Sequence, residues 1–383
     1  MPVIFIDAKS ETCKIVWQYD SLTSAKKIYV YNSHQRRTFR GTRYTTWTDP
    51  AAKNGWWNLS YTYEFFKAMF GRDSWNRKGG DLYMFVHYGY KYNNAFWNGK
   101  YLVFGDGDGN FLHMTSQDQS VVAHEFGHAV VTTDSGLVYS TDSGALNESY
   151  SDIMGVGVDW FRNKKSITNE MWKIGRETYT PKKAGDALRY MNNPTLDRSS
   201  KDYYPHRYIG SQDHGGVHWN SGIGNLAFYL LVNGGKHPRA KTNITVKGIG
   251  MDKALKIFYR ANRFYYTSKT TYPEARKYTE KAAMDLYGAT IKDSVSQAWA
   301  AVGLGTYTPP PPPTPPAPQP KPDVNCPKEY RINLKSQKGD FVNRPSSGNY
   351  LTSLGPNTGN ELRLKCSTKG SAGVTLQTIK NRS

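Results

Sequence analysis

The sequence has 383 residues, of which 38% are hydrophobic, and its 28 tyrosines, 15 phenylalanines and 10 tryptophans supply bulky core material. This composition excludes a disordered chain and is sufficient for one to three domains with a sizeable core. The formal net charge of +19 favours attraction to acidic polymers, although a solvated basic surface without a specific acidic partner is the simpler interpretation.

The three cysteines are too few for a disulfide scaffold, and the sequence leaves open whether Cys326 and Cys366 pair. No run of residues approaches the ~18 apolar residues that a membrane helix needs. The start, MPVIFIDAK, lacks the basic region and the cleavage site of a signal peptide. The chain is therefore expected to be either cytoplasmic or a segment whose leader has been removed.

Strand patterns come first along the chain. Residues 26–32 (KKIYVYN) alternate, and residues 81–92 (DLYMFVHYGYKY) and 100–109 (KYLVFGDGDG) are aromatic, β-branched and bounded by Gly, Asn and Asp. One helix is predicted among them, at residues 56–71 (WWNLSYTYEFFKAMFG), where Gly71 ends it.

From residue 120 onward, helical periods dominate. Apolar residues recur at three- and four-residue spacing in 120–131, 145–161, 221–233, 251–266 and 271–288. A β-rich half followed by an α-rich half predicts an α+β fold of two lobes with a cleft between them.

The stretch YTPPPPPTPPAPQPKP, residues 307–322, predicts an extended polyproline spacer. The tail behind it alternates like short strands with Gly, Asn and Ser turns, as in a small β-rich module, although an inert appendage fits it equally well. The predicted domains are a β-rich N-terminal lobe at 1–135, an α-helical lobe at 136–305, the linker at 306–323 and the tail module at 324–383.

The segment VVAHEFGHAV places two histidines four residues apart in an apolar helix. His124 and His128 therefore lie on one face, at a spacing that one Zn²⁺ bridges. Glu125 is rotated about 100° from His124, so it reaches a water at the metal without binding the metal itself. This helix belongs to the predicted N-terminal lobe.

A catalytic zinc needs a third protein ligand, and the segment ALNESYSDIMG offers one. Glu148 and Asp152 are four residues apart on one face, so that one carboxylate can bind the metal and the other can accept the N–H of a liganding imidazole. Asn147 can do the same for the second histidine. A lone HExxH is about as often structural as metal-binding, but two apolar helices carrying unpaired polar faces would be costly to bury.

With these motifs the sequence resembles the thermolysin-like zinc metalloendopeptidases over about residues 1–305. The motifs that carry the resemblance are YNNAFWNG, FGDGDG, HEFGH, GALNESYSDIMG, GDALR and HGGVHWNSGIGNLAFYLL. The resemblance implies a secreted enzyme with a β-rich lobe, a helical lobe and a zinc-bearing helix in the cleft. It also implies one catalytic Zn²⁺ on His124, His128 and Glu148, with Glu125 as general base.

Further roles are carried over position by position. His218 resembles the histidine that stabilises the oxyanion, Asp213 the carboxylate that orients it, and Tyr139 the tyrosine that bonds the same oxyanion. The resemblance further implies that substrate is bound by Asn94, the backbone of Ala95, and Arg189, and that an apolar pocket beyond the cleaved bond is lined by Val121, Ile174 and Leu188. It predicts cleavage before bulky hydrophobic residues such as Leu, Phe or Ile.

The sequence departs from the family where family members hold calcium near the active site. The matching positions are Ser120, Asp159, Met171, Lys173 and Arg176, with one acid left and two basic residues. Because Ca²⁺ needs six to eight oxygen ligands, this site is expected to be lost, with Lys173 or Arg176 pairing with Asp159 instead. A second calcium loop is better kept, at Tyr179, Thr180, the backbone of Lys183, and Asp186, although two lysines there repel a cation.

Rival functions are a zinc peptidase that attacks chain ends, an adhesion protein on a peptidase scaffold, and nucleic-acid binding through the basic charge. No aromatic-basic motif supports specific nucleic-acid binding. The expected partners are protein or peptide substrates and, for the tail, an acidic or insoluble surface. The chain is expected to be a monomer.

Overall fold

The computed structural model describes residues 2–7, 12–17, 27–33, 37–38 and 49–308, together with the short segments 330–331, 342–343, 352–353, 363–365 and 375–376. The chain divides into two compact units, residues 1–308 and 309–383. The polyproline run from residue 309, Cys326 and Cys366 lie outside the described residues. The domain boundaries predicted from the sequence stay predictions.

The first unit contains a seven-stranded sheet in the order β1-β2-β3-β5-β7-β6, with β4 paired to β3. β3, β5 and β7 run parallel, whereas β6 is antiparallel to β7. β6 is thus an edge strand in this sheet. The strands are β1 Pro2–Asp7, β2 Thr12–Trp17, β3 Lys27–Asn32, β4 Arg37–Thr38, β5 Leu82–Val86, β6 Ala95–Trp97 and β7 Leu102–Phe104.

The helix predicted near residue 56 is α1, Pro50–Phe70, which contacts β3 and β5. It begins earlier than expected because Asp49 caps it, accepting a hydrogen bond from the Ala52 amide at 3.1 Å. It ends at Gly71, whose φ of 64° is left-handed. The strand predicted over 81–92 is shorter than expected, because the chain turns after β5 at His87, with φ 57°.

The helices predicted after residue 120 are all present. A further helix, α7, was not predicted, because its sequence ATIKDSVSQAWAA is rich in small and polar residues. A two-stranded ribbon of β8, Lys173–Ile174, and β9, Arg189–Tyr190, lies between α3 and α4. The helices are α2 Gln119–Thr133, α3 Thr141–Arg162, α4 Asp213–Asn233, α5 Met251–Phe264, α6 Tyr272–Tyr287 and α7 Ala289–Ala301.

Helix α3 lies at the centre of the first unit and contacts α1, α2, α4, α5 and α6. Two glycines bring it close to α2. A Cβ on Gly127 would lie 2.7 Å from the Cα of Ser151, and one on Gly155 would lie 2.9 Å from the carbonyl oxygen of Ser120. This close approach lets side chains from α2 and α3 converge on one point.

In the second unit, β10 pairs with β13, β13 with β14, and β11 with β12, all antiparallel. The fold of the tail module stays a prediction. Among the described residues, no helix is both long and apolar enough to span a membrane. The tail strands are β10 Tyr330–Arg331, β11 Val342–Asn343, β12 Thr352–Ser353, β13 Arg363–Lys365 and β14 Thr375–Leu376.

Candidate metal centre and active site

The two histidines of α2 face each other across one helical turn. The Nδ1 atom of His124 lies 2.8 Å from Oδ1 of Asp152, and that of His128 lies 2.8 Å from Oδ1 of Asn147. The Asn147 amide group donates to the carbonyl of Leu137 at 3.2 Å, which fixes its oxygen toward His128. With both Nδ1–H groups donating, the two Nε2 lone pairs face each other at 3.0 Å.

Glu148 of α3 completes the cluster. Its carboxylate oxygens lie 3.4 Å from Nε2 of His124 and 3.3 Å from Nε2 of His128. The Oε2 atom is buried without a hydrogen-bond partner in the described structure. Two imidazole lone pairs and an orphaned carboxylate oxygen repel one another unless a cation lies between them. The donor set of two imidazoles and one carboxylate is one that zinc prefers.

Asp152 is held by cations and donors on several elements. Arg189 of β9 forms two hydrogen bonds to it, at 2.8 and 2.7 Å, and Asn225 of α4 donates to it at 2.8 Å. Burial favours the protonated acid, but Arg189 and His124 hold the pKa of the Asp152 carboxyl well below its usual value. Asp152 is therefore an anion that accepts a hydrogen bond from the His124 ring and fixes its orientation.

Asn225 was missed by the sequence analysis. It lies seven residues, or two helical turns, after His218 on α4, so helical spacing alone places both on one face. Ser151 was also missed, and its hydroxyl lies 3.2 Å from Nδ1 of His128.

Glu125 lines the same cleft as the histidines and is 6% exposed. Burial raises the pKa of its carboxyl above the ordinary value, although the neighbouring His124 and His128 lower it. A carboxylate in this setting has a stronger affinity for a proton than one in water, which suits a general base.

Three polar residues form a chain on the other side of the cluster. The Tyr139 hydroxyl lies 3.0 Å from Nε2 of His218 and donates a short hydrogen bond to Glu148. Nδ1 of His218 lies 2.6 Å from Oδ1 of Asp213. This contact depends on a kink at the start of α4, where the backbone of 213–216 is left-handed. A Cβ on Gly216 would lie 2.7 Å from the Tyr208 ring, so the kink requires glycine there.

A cleft of about 900 Å³ is lined by the three residues of the cluster and by Glu125, Tyr139, His218 and Asp213, whereas Asp152 lies behind His124 and does not line it. Asn94 and Ala95 line it at the edge strand β6, and the Asn94 side chain accepts a hydrogen bond from the Ala95 amide at 3.0 Å. The apolar side chains that the sequence analysis assigned to a substrate pocket also line this cleft: Val121, Ile174 and Leu188.

Residues 9–132 match the family described as "Thermolysin metallopeptidase, catalytic domain", and residues 135–304 match "Thermolysin metallopeptidase, alpha-helical domain". The chain belongs to the thermolysin family of metallopeptidases. This confirms the resemblance inferred from the motifs, and also the expected fold of a sheet-containing N-terminal domain and a helical C-terminal domain.

Relatives in the thermolysin family include a bacillolysin of Bacillus cereus, 45% identical over 291 residues, and a thermolysin of Alicyclobacillus acidocaldarius subsp. acidocaldarius, 42% identical over 291 residues. Each alignment covers 74% of this chain, and 50% and 52% of the relatives. The chain thus spans about half the length of the curated relatives it matches. A solved precursor of protealysin, a metalloproteinase from Serratia proteamaculans, superimposes with a TM-score of 0.62 and 31% identity, covering 73% of this chain and 87% of that one.

The residues at the expected main calcium site do not line the cleft. An ion pair forms there instead of a cluster of oxygen ligands. The Arg176 guanidinium lies 2.5 Å from Oδ2 of Asp159. Lys173 pairs instead with Glu170 at 2.9 Å, and Met171 is buried in the core. A guanidinium therefore occupies the side of Asp159 where a cation would bind.

The second calcium loop also contains a cation of the protein itself. Asp186 accepts hydrogen bonds from the Lys183 ammonium at 2.9 Å, the Thr180 hydroxyl at 3.0 Å and the Tyr190 hydroxyl at 2.7 Å. The Tyr179 ring packs edge-on against Phe111 at 5.4 Å. Lys183 had been expected to contribute through its backbone, and the structure shows its side chain on the carboxylate.

Proposed function

We propose that this chain is a zinc-dependent endopeptidase that hydrolyses internal bonds of protein or peptide substrates. The observation that carries this proposal is the convergence of His124, His128 and Glu148, whose ligand atoms lie within 4.8 Å of one another. Glu125, Tyr139 and His218 line the same cleft, so a base and oxyanion donors are within reach of one substrate.

The three ligands fit zinc because they supply two imidazoles and a carboxylate, and because the unpartnered oxygen of Glu148 needs a cation. When bound by three protein ligands, zinc lowers the pKa of a water to about 7 and polarises a carbonyl. Asp152 and Asn147 hold the imidazoles in the tautomer that leaves both Nε2 atoms free for a metal.

The chain's own residues then perform the proton transfer and stabilise the charge. Glu125 accepts a proton from the attacking water, and its raised pKa increases the driving force for that transfer. Tyr139 and His218 donate hydrogen bonds to the carbonyl oxygen as it becomes negative. Loss of one such donor typically lowers the rate ~10²–10³-fold. Asp213 orients the His218 ring through its Nδ1 atom.

The substrate chain pairs with the edge strand β6 near Asn94 and Ala95, because an edge strand presents unpaired backbone groups. Arg189 contacts the carbonyl beyond the cleaved bond. The pocket beside it is apolar, so cleavage is expected before Leu, Phe or Ile. The residues that form this pocket are Val121, Ile174 and Leu188.

Arg176 and Lys183 replace calcium ions. Arg176 neutralises Asp159 and Lys183 neutralises Asp186, so stability does not require Ca²⁺ at either position. Secretion follows from the family alone. The tail is proposed to bind an acidic or insoluble surface, so deletion of residues 307–383 should weaken adsorption and spare hydrolysis of a soluble peptide.

An end-blocked peptide with one internal Gly-Leu bond tests the endopeptidase proposal. Wild type and the control Glu170→Gln, an exposed residue outside the cleft, are expected to cut it, and Glu125→Gln is not. Full cleavage by Glu125→Gln would remove its role as base. Cleavage only of peptides with free ends would favour the rival peptidase that attacks chain ends.

A further inference from the structure

A second cavity, of about 730 Å³, lies between α1, the end of α3 and residues 168–177. Its size is in the range of small-molecule sites, ~300–1,000 Å³. It shares no lining residue with the catalytic cleft. The peptidase proposal leaves this cavity without a role.

One wall of the cavity is aromatic. Trp57 and Tyr61 lie one turn apart on α1, with ring centroids 6.2 Å apart and planes at 30°. Trp57 also packs edge-on against the buried Trp56 at 4.5 Å, which fixes its orientation. Both wall residues are only partly buried, so their rings are accessible from the cavity. Such a surface packs well against the C–H face of a sugar ring.

Polar groups on the same wall are available for hydrogen bonds. Within residues 49–308, the side-chain amide of Asn54, the indole N–H of Trp57 and the hydroxyl of Tyr61 have no hydrogen-bond partner. All three lie on one face of α1, at positions 54, 57 and 61. A ligand with several hydroxyl groups satisfies such a set.

One cation that lines the cavity is available to an anionic group of a ligand. Two of the cavity's carboxylates, Asp159 and Glu177, share one cation, Arg176, at 2.5 and 3.4 Å. Glu170 likewise pairs with Lys173 at 2.9 Å. Arg162 differs, because among the described residues it has no ion pair within 4.0 Å.

The position of Arg162 is nevertheless defined. Its guanidinium lies 5.0 Å from the centroid of the Tyr61 ring, and it makes a long 3.4 Å contact with Oδ1 of Asn58. The ring contact orients the guanidinium by cation–π attraction. Its remaining N–H groups have no partner among residues 49–308 and can bind a carboxylate in a two-point contact.

We propose that this cavity binds an acidic saccharide. A pyranose ring packs on Trp57, its hydroxyl groups bond Asn54 and Tyr61, and its carboxylate binds Arg162. The ligand class follows from an aromatic wall combined with polar groups and one guanidinium that have no partner within the described part of the chain. The site would attach the enzyme to an acidic glycan while the catalytic cleft remains accessible.

Calorimetric titration with trigalacturonate and with its uncharged counterpart, galactotriose, tests this assignment. Wild type is expected to bind the acid and to bind the neutral trisaccharide at least about tenfold more weakly, since a charge-assisted hydrogen bond is lost. Arg162→Gln should reduce binding of the acid by a similar factor, and Trp57→Ala should weaken both sugars. Peptide hydrolysis should be unchanged in both variants, which shows that they fold.

The matched control is Arg263→Gln, an arginine of α5 outside the cavity that should leave binding intact. If Arg263→Gln weakened trigalacturonate binding as much as Arg162→Gln does, the basic charge of the protein would attract the acid non-specifically, and the assignment would be overturned. The absence of trigalacturonate binding, or binding unaffected by Arg162→Gln, would also overturn it. An end-blocked triglutamate peptide that bound as tightly as trigalacturonate would show a peptide site instead.

Discussion

The hydroxyl oxygen of Tyr139 lies 3.0 Å from Nε2 of His218, although 79 residues separate them along the chain. Tyr139 precedes α3 and His218 lies after the kink of α4, so both donors reach the cleft only when these two helices pack together. Burial, followed by the negative charge of Glu148, raises the pKa of the Tyr139 hydroxyl, which keeps it a hydrogen-bond donor at all working pH values.

Tyr139→Phe and His218→Gln are each expected to lower kcat about 10²-fold with little change in KM, because each removes a donor used mainly in the transition state. The double variant should lose less activity than the product of the two single-variant decreases in kcat, since the two side chains contact each other. Steady-state kinetics on an end-blocked peptide measures this. Tyr287→Phe, on α6, serves as the control. If Tyr139→Phe and His218→Gln changed only KM, the two residues would act in substrate binding and not in the transition state.

Asn147→Ala is expected to weaken zinc binding by about 10–100-fold, because the His128 ring loses the oxygen that fixes its tautomer. Titration with a competing zinc chelator measures the affinity. Asn233→Ala, an exposed residue of the distant end of α4, should leave it unchanged. An unchanged affinity in Asn147→Ala would show that the amide does not orient the histidine.

His87 joins two elements of the N-terminal lobe, with Nδ1 2.7 Å from Asp106 and Nε2 2.8 Å from Asp49, the residue that caps α1. The hydrogen bond to Asp106, followed by that to Asp49, raises the pKa of His87 to about 9. A raised pKa in the folded state stabilises the fold fully below about 6.5, the pKa in an unfolded chain, and this contribution is lost as pH rises through 9.

His87→Gln should therefore lower Tm most near pH 6 and least near pH 10. Thermal unfolding of both proteins across this range measures the difference. His206→Gln, an exposed histidine, should show no such trend. If the Tm difference between His87→Gln and wild type stayed constant up to pH 10, the charge on His87 would not contribute to the stability of the fold.

A calcium-selective chelator is expected to leave the Tm of the wild type unchanged, because Arg176 and Lys183 take the place of the ions. Arg176→Met should lower the free energy of unfolding by roughly 2–4 kcal/mol, since it leaves the buried Asp159 carboxylate without its cation. Arg263→Met, at a partly buried position of α5, provides the comparison. A large loss of Tm in chelator would show that calcium is bound after all.

The sequence was sufficient to predict the metal cluster because two helical periods determine it. The four-residue spacing puts His124 and His128 on one face of α2, and Glu148 and Asp152 on one face of α3. This placement does not depend on the tertiary structure. The close approach of these helices was not predicted, because it depends on contacts such as Gly127 against Ser151.

Other features required long-range packing. Asn225 bonds Asp152 across 73 residues, and the left-handed turn at 213–216 has no periodic signal. Helix α7 lacks a strong apolar pattern, yet Val295 and Trp299 are buried in the core. Local spacing thus predicted the two histidines and the carboxylate pair, the family resemblance assigned Glu148 as the ligand, and tertiary contacts supplied the groups that hold them.

The zinc centre is tested most directly by X-ray diffraction from zinc-loaded crystals, recorded on both sides of the zinc absorption edge. We expect one anomalous peak, about 2.0–2.1 Å from Nε2 of His124 and of His128 and about 2.0–2.2 Å from an oxygen of Glu148. An ordered crystal in which these three side chains diverge, or in which zinc binds only elsewhere, would contradict this expectation.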